Sequence, residues 1–170
     1  MQDSSILLLT HAQITVAVAG FASVAAAIRR PLTPILRQRF LALLSVSVLQ
    51  VLACLFPVWL ATAIPESERT WQMCSILMLA LYGGHTWWLV LVPIRKIGKA
   101  IGTVINPAVT AGTWIASAVA FLTIAVNALG YPVKSSFHVY YAGNAIWLFI
   151  GFMIFAEVAT SSAEDTESDA

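Results

Sequence analysis

Five long apolar segments, separated by short segments that hold most of the charged residues, make up nearly the whole chain. Each exceeds the roughly 20 residues that an α-helix needs to cross the hydrocarbon core of a bilayer. The pattern predicts an all-α fold: an integral membrane bundle of five transmembrane helices within residues 1–159. An acidic tail at 160–170, which we expect to be disordered, would follow it. The predicted spans are residues 5–28, 40–64, 72–94, 106–129 and 139–159.

Composition supports the same class of protein. Of the 170 residues, 59% are hydrophobic and only 10% are charged, whereas soluble domains usually carry about 25% charged residues. The lipid bilayer is therefore the partner that the chain itself implies. The net charge of +1 gives no indication of a nucleic-acid partner.

Basic residues are unevenly distributed among the predicted loops, and this predicts an orientation. The second and fourth loops hold only Arg69 and Lys134, whereas the first and third hold seven basic residues. Because basic residues favour cytoplasmic loops, the N-terminus is expected outside and the C-terminus in the cytoplasm. The seven cytoplasmic anchors are Arg29, Arg30, Arg37, Arg39, Arg95, Lys96 and Lys99.

Aromatic residues lie near the predicted outer ends of the spans, where they are typical interfacial anchors. They are Trp59, Trp71, Tyr131, Tyr140 and Tyr141.

Small residues recur every four positions in the first and fourth spans, and such faces let helix backbones approach closely in lipid. We expect these two helices to pack tightly, either with each other or across a subunit interface. A glycine pair in the third span would likewise admit a neighbouring helix. The candidate packing residues are Ala19, Ser23, Gly83, Gly84, Ala108, Gly112, Ala116 and Ala120.

Several stretches of the chain carry a resemblance to a known family. These are residues 12–29, 36–60, 71–82 and 127–155, with Gly20-Phe21, Pro57 and the Asn-Ala-Leu-Gly at 127–130 as landmarks. In these features the chain resembles a family of uncharacterised small bacterial multi-spanning membrane proteins. The resemblance implies a multi-pass protein of the bacterial plasma (inner) membrane, and it implies no catalytic residue.

Polar side chains within the spans are the candidate functional residues, because they are costly in lipid. His85 is the deepest titratable group, and we expect it to be neutral, with its ring N–H bonded to Gln50. One interpretation is a polar path that opens outward. The other is that these side chains only hydrogen-bond helices to one another. The candidate path residues are His11, Gln13, Gln50, His85, Asn127 and Asn144.

Motifs of enzymes, metal sites and cofactor sites are not found in the sequence. His11 and His85 are predicted at different depths, which disfavours a haem held between them. The only carboxylate in a span, Glu157, lies close to the cytoplasmic end. We therefore expect no enzyme activity and no cofactor.

Two functions are consistent with this pattern. The first is a channel or carrier for a small solute or ion, formed by an oligomer because five helices leave little room for a pore. The second is a non-transporting scaffold, sensor or accessory subunit. A hydrated path at His85 would favour the first, and a dry, interdigitated core would favour the second.

Overall fold

The structure, a computed structural model, describes residues 2–28, 34–64, 67–91, 107–131 and 134–160, and these are helical apart from short connecting segments. The all-α prediction is thus confirmed for the described residues. A six-residue π-helix, Thr86–Leu91, directly follows the third helix. The five α-helices are α1 (Gln2–Ile28), α2 (Pro34–Ala63), α3 (Glu68–His85), α4 (Pro107–Leu129) and α5 (Phe137–Thr160).

Four of these helices are long and apolar enough to cross a membrane. The corresponding segments are Asp3–Ala25, Arg37–Ala63, Ala111–Leu129 and Phe137–Ala156. The third helix is not among them, although its 18 residues are long enough, because polar residues such as Glu68 and Arg69 in its first turn lower its mean hydropathy. The last part of the predicted third span, 92–94, lies outside the described residues.

The first turn of α3 is fixed by a side-chain cap, so this helix begins before the predicted position 72. Ser67 has an extended backbone, and its hydroxyl accepts a hydrogen bond from the backbone N–H of Thr70 at 3.3 Å. Glu68 in the first turn lies where a negative charge interacts favourably with the helix dipole. A cap of this kind contributes about 1 kcal/mol to helix stability.

The helices form a closed ring in which each packs against its neighbours in the chain. In addition, α5 contacts α1 and α2 and thereby closes the bundle. Of the two alternatives expected for the small-residue faces, a direct contact between the first and fourth helices is not a major contact among the described residues. Instead, α1 packs on α2 and α5, while α4 packs on α3 and α5.

A close approach between two helices lies at a glycine that the sequence pattern did not single out. A Cβ atom added to Gly143 of α5 would come within 2.5 Å of Ile124 Cγ1 and 3.6 Å of the Ala120 carbonyl oxygen of α4. At Gly83 and Gly84, by contrast, an added Cβ would meet nothing within 4 Å. Among the described residues, no neighbouring helix therefore approaches the glycine pair closely.

The remaining predicted packing residues lie on α1 and α4. On α4, Ala120 is fully buried, and a Cβ at Gly112 would lie 3.6 Å from Met153 Cε of α5. Ala116 packs against the core, so this face of α4 meets α5 rather than α1. On α1, Ser23 is exposed and donates its hydroxyl to the carbonyl of Ala19.

The predicted basic anchors and the acidic tail lie only partly within the described residues. Arg37 is exposed and Arg39 half-buried at the start of α2. The side chain of Ala108 and residues 161–170 of the acidic tail lie outside the described part of the chain, as do the remaining basic anchors: Arg29, Arg30, Arg95, Lys96 and Lys99.

Candidate functional site

A connected set of buried polar side chains occupies the middle of the bundle. We call it the central cluster: His11, Gln50, Tyr82, Tyr140 and Asn144. None of the five is more than 2% exposed. They come from α1, α2, α3 and α5, so the cluster joins four of the five helices.

Gln50 links α1 to α5 through the two ends of its amide. Its Oε1 accepts a hydrogen bond from His11 Nε2 at 2.6 Å, and its Nε2 donates to the backbone carbonyl of Asn144 at 3.2 Å. His11 therefore carries its proton on Nε2, since Gln50 offers it an acceptor. The edge of the Tyr141 ring packs against His11 with centroids 5.6 Å apart.

Tyr82 of α3 and Tyr140 of α5 connect these two helices to the rest of the central cluster through hydrogen bonds. Tyr82 donates its hydroxyl to Asn144 Oδ1 at 3.3 Å, and Asn144 Nδ2 donates to the Tyr140 carbonyl at 2.9 Å. The Tyr140 hydroxyl donates to the carbonyl of Ala53 at 2.6 Å. Tyr140 was predicted to be an interfacial anchor, but it is fully buried.

Aromatic rings fill the space beside the central cluster. Tyr82 stacks on Trp147 with centroids 4.5 Å apart and planes only 4° from parallel. Phe121 contacts Trp147 edge-on at 5.3 Å. Trp71, also predicted to be an anchor, is buried and packs against Phe137 and Tyr140. This part of the interior is thus occupied by interdigitated rings.

Asn127 belongs to a second polar group, at the end of α4. Its Nδ2 donates to Ser75 Oγ at 2.8 Å, and its Oδ1 accepts from the backbone N–H of Ser136 at 2.8 Å. The Ser135 hydroxyl donates to the Asn127 carbonyl at 2.5 Å. Asn127 therefore fixes the α4–α5 connection against α3.

His85 does not bond to Gln50, contrary to expectation. Its Nε2 lies 2.7 Å from Ser45 Oγ, while Gln50 is already paired with His11. Ser45 also lies within 2.9 Å of the carbonyls of Leu41 and Ala42. The serine hydroxyl donates to one of these carbonyls, so His85 Nε2 donates to the serine oxygen. His85 Nδ1 is buried and has no partner among the described residues.

The groove beside His85 opens on the outside of the bundle and not towards the central cluster. It has a volume of about 430 Å³, and Trp88 on its wall is 71% exposed. It is lined by Ser45, Val48, Leu49, Leu81, His85 and Trp88. His85 stands at the junction with the π-helix, a rare element that is common near functional sites.

Gln13 departs most from the predicted polar path. It is exposed on α1, on the side of the helix opposite to buried His11 and Thr15. The six predicted path residues therefore separate into the central cluster, the Asn127 group, the His85 groove and an outward-facing Gln13. The described residues do not link them into one hydrogen-bonded path.

Metal-binding residues are sparse in the described part of the chain. No group of three or more His, Cys, Asp or Glu side chains there lies close enough to hold an ion. Cys54 and Cys74 are both free and buried.

The tyrosines and Ser45 are the functional candidates that sequence reasoning missed. Tyr140 and Asn144 are four residues apart on one helix, a spacing that places them on one face and could have indicated a shared site. Tyr82 and Ser45 give no such signal, because their partners come from other helices.

Comparison of the chain with protein-family models, with curated proteins and with solved structures gave no match in any of the three. Function is therefore inferred from the residues and geometry of the bundle, and the family resemblance of the sequence stays a prediction.

Proposed function

We propose that the protein is a non-transporting component of a bacterial inner membrane, a scaffold or accessory subunit whose closed bundle presents its outer faces to partners. The observation that carries this proposal is the filled interior. Tyr82, Trp147 and Phe121 occupy the space beside the central cluster, with ring centroids 4.5 and 5.3 Å apart. Side chains packed in this way leave no room there for a column of water.

The hydrogen bonds of the central cluster support the same conclusion. His11, Gln50 and Asn144 each have protein partners at hydrogen-bond distance, so they do not need water to satisfy them. A conducting path instead requires polar groups that exchange partners with a permeant. These bonds join helices, which is the second of the two interpretations that the sequence allowed.

The proposal includes five membrane crossings. Four helices have the length and apolarity to cross. The eighteen residues of α3 and the six of the π-helix together extend about 35 Å at roughly 1.5 Å per residue, which exceeds a core of about 30 Å. Packing of α3 on α2 and α4 supports its insertion beside them. An odd number of crossings agrees with the loop charges, which favour an N-terminus outside and a C-terminus in the cytoplasm.

Cys54 and Cys74 offer a direct test of whether the interior is dry. Both thiols are fully buried, and Cys54 directly follows Ala53, whose carbonyl accepts the Tyr140 hydrogen bond. In proteoliposomes, a membrane-impermeant thiol reagent should leave both unmodified until the protein is denatured. A Lys134→Cys variant is the control, because Lys134 is highly exposed on a connecting segment and should react at once.

Flux measurements complete the test. The same proteoliposomes, loaded with a pH-sensitive or potassium-sensitive dye, should leak no faster than protein-free vesicles. An added ionophore verifies that the vesicles are sealed. Rapid labelling of Cys54 in the native protein, together with flux that Gln50→Leu abolishes, would overturn the proposal in favour of a channel or carrier.

A further inference from the structure

The face of α1 that points away from the bundle combines small residues with one unpaired amide. Its residues recur at alternating spacings of three and four, so they lie along one side of the helix. Every one of them is exposed. We call this the outer face of α1: Ile6, Thr10, Gln13, Ala17, Gly20, Val24 and Ala27.

Gln13 lies in the middle of the α1 span. Ten residues separate it from Asp3 and twelve from Ala25, the two ends of the segment. At 1.5 Å per residue these distances are about 15 and 18 Å. A glutamine side chain is much too short to reach headgroups or water from there, so its amide faces hydrocarbon.

The Gln13 amide has no hydrogen-bond partner among the described residues, whereas hydroxyls exposed on the spans find one on their own helix. Ser23 and Thr123 donate to the carbonyl four residues earlier, at 2.8 Å in both cases. Hydroxyls in spans are therefore satisfied locally. A primary amide has two donors and an acceptor to satisfy, and leaving them unpaired in lipid is costly.

In the described part of the chain, the outward faces of the other spans carry no exposed amide. On α2 the exposed residues in the middle of the span include Val48, Leu52 and Leu55, and on α4 they include Ile115 and Leu122. Among the described residues of the spans, Gln13 is thus the one amide that is exposed on the outside of the bundle.

We propose that two copies of this chain associate through the outer face of α1, with the two Gln13 amides hydrogen-bonded to each other across a twofold axis. Copies inserted in one membrane share an orientation, so their α1 helices are parallel and both amides lie at the same depth. An amide donates and accepts, so it is complementary to an identical amide. Lipid tails offer neither donor nor acceptor.

Small residues next to Gln13 permit the close approach that such a bond requires. A Cβ atom added to Gly20 would meet nothing within 4 Å in this chain, and Ala17 beside it is exposed. Small residues at this spacing let two helix backbones come close together in lipid. The inference rests on the membrane insertion of α1 contained in the proposed function, but not on whether the bundle conducts.

Single-molecule photobleaching of the full-length, dye-labelled protein in liposomes tests the dimer. We expect two-step bleaching for the wild type at low protein density. Gln13→Leu should weaken association by about tenfold, because interhelical amide bonds contribute roughly that factor, whereas Gln13→Asn should retain it. Gly20→Leu should also weaken association, while Gly84→Leu should not, because Gly84 is equally open but lies on α3.

Cysteine cross-linking identifies the face. Ala17→Cys should form a disulfide-linked dimer on mild oxidation, and Val48→Cys, on the exposed side of α2, should not. A wild type that bleaches in one step at all densities, or a Gln13→Leu variant that associates as strongly as the wild type, would overturn the proposal. Either result would assign the face to lipid or to a different protein, and neither would bear on the flux and labelling tests.

Discussion

His11 Nε2 and Gln50 Oε1 lie 2.6 Å apart and form a buried hydrogen bond between α1 and α2. The same glutamine donates to the Asn144 carbonyl of α5. One side chain therefore joins three helices. Because these groups are buried, removal of one partner leaves the others without a hydrogen bond.

Gln50→Leu should destabilise the monomer by about 1–2 kcal/mol, because both His11 and the Asn144 carbonyl lose a partner. Gln13→Leu is the matched control. It makes the same chemical change but breaks no hydrogen bond of the described chain, so the monomer should lose less than about 0.5 kcal/mol. Unfolding by SDS in mixed micelles, followed by tryptophan fluorescence, measures both. Equal losses would contradict the assigned role of Gln50.

The two buried histidines should respond differently to substitution by leucine. His11→Leu leaves the buried Gln50 Oε1 without its donor, which should cost about 1–2 kcal/mol. His85→Leu removes an unpartnered Nδ1, while Ser45 keeps its bond to a backbone carbonyl. We expect His85→Leu to change the free energy of unfolding by less than about 0.5 kcal/mol. A larger loss for His85→Leu than for His11→Leu in the same assay would refute this.

Gly143→Ala should be destabilising by about 1–3 kcal/mol, because the new methyl group would lie 2.5 Å from Ile124 Cγ1 in the α4–α5 contact. Adding Ile124→Ala should cost less than the roughly 2–5 kcal/mol usual for truncating a buried isoleucine, because the new methyl group fills part of the space that it opens. Gly83→Ala serves as the control, since a Cβ there meets nothing within 4 Å. Alanine also has the better helix propensity, so the control should be neutral or stabilising. Thermal aggregation midpoints in detergent rank the three variants.

Ser67→Ala should lower stability by about 1 kcal/mol, because the backbone N–H of Thr70 loses the hydroxyl that caps α3. Ser67→Asp should retain most of the stability, since a carboxylate caps a helix N-terminus equally well. Hydrogen exchange of the first turn of α3 provides a local measurement. Unchanged exchange in Ser67→Ala would show that the cap contributes nothing.

Sequence reasoning located the helices because their apolarity is a local property. Runs of apolar residues bounded by charges predict membrane helices wherever they occur. The segments over which α1, α2, α4 and α5 can cross a membrane accordingly agree with the predicted spans to within a few residues. The largest difference is at α4, whose segment begins at Ala111 whereas the predicted span begins at 106. The start of α3 was less accurate, because its capping by Ser67 is a short-range polar interaction outside the apolar run.

Which buried polar side chains form hydrogen bonds with each other could not be predicted in the same way. The sequence predicts spans that contain His11, His85 and Gln50, and the predicted depths alone led to the pairing of Gln50 with His85. Rotation of each helix about its axis decides the pairing, and that rotation is set by how all the helices pack. The same rotation turns Gln13 outward while His11, two residues earlier, points inward.

What the sequence determined by itself is the class of the molecule and the approximate position of its helices, because transfer of an apolar segment into lipid depends on that segment alone. What only the tertiary structure decided is which helices meet, which glycine they meet at, and which polar groups pair. Gly143 against Ile124, Tyr82 against Trp147 and Gln50 between His11 and Asn144 each join residues from different helices. Such contacts are satisfied only when the whole bundle has closed.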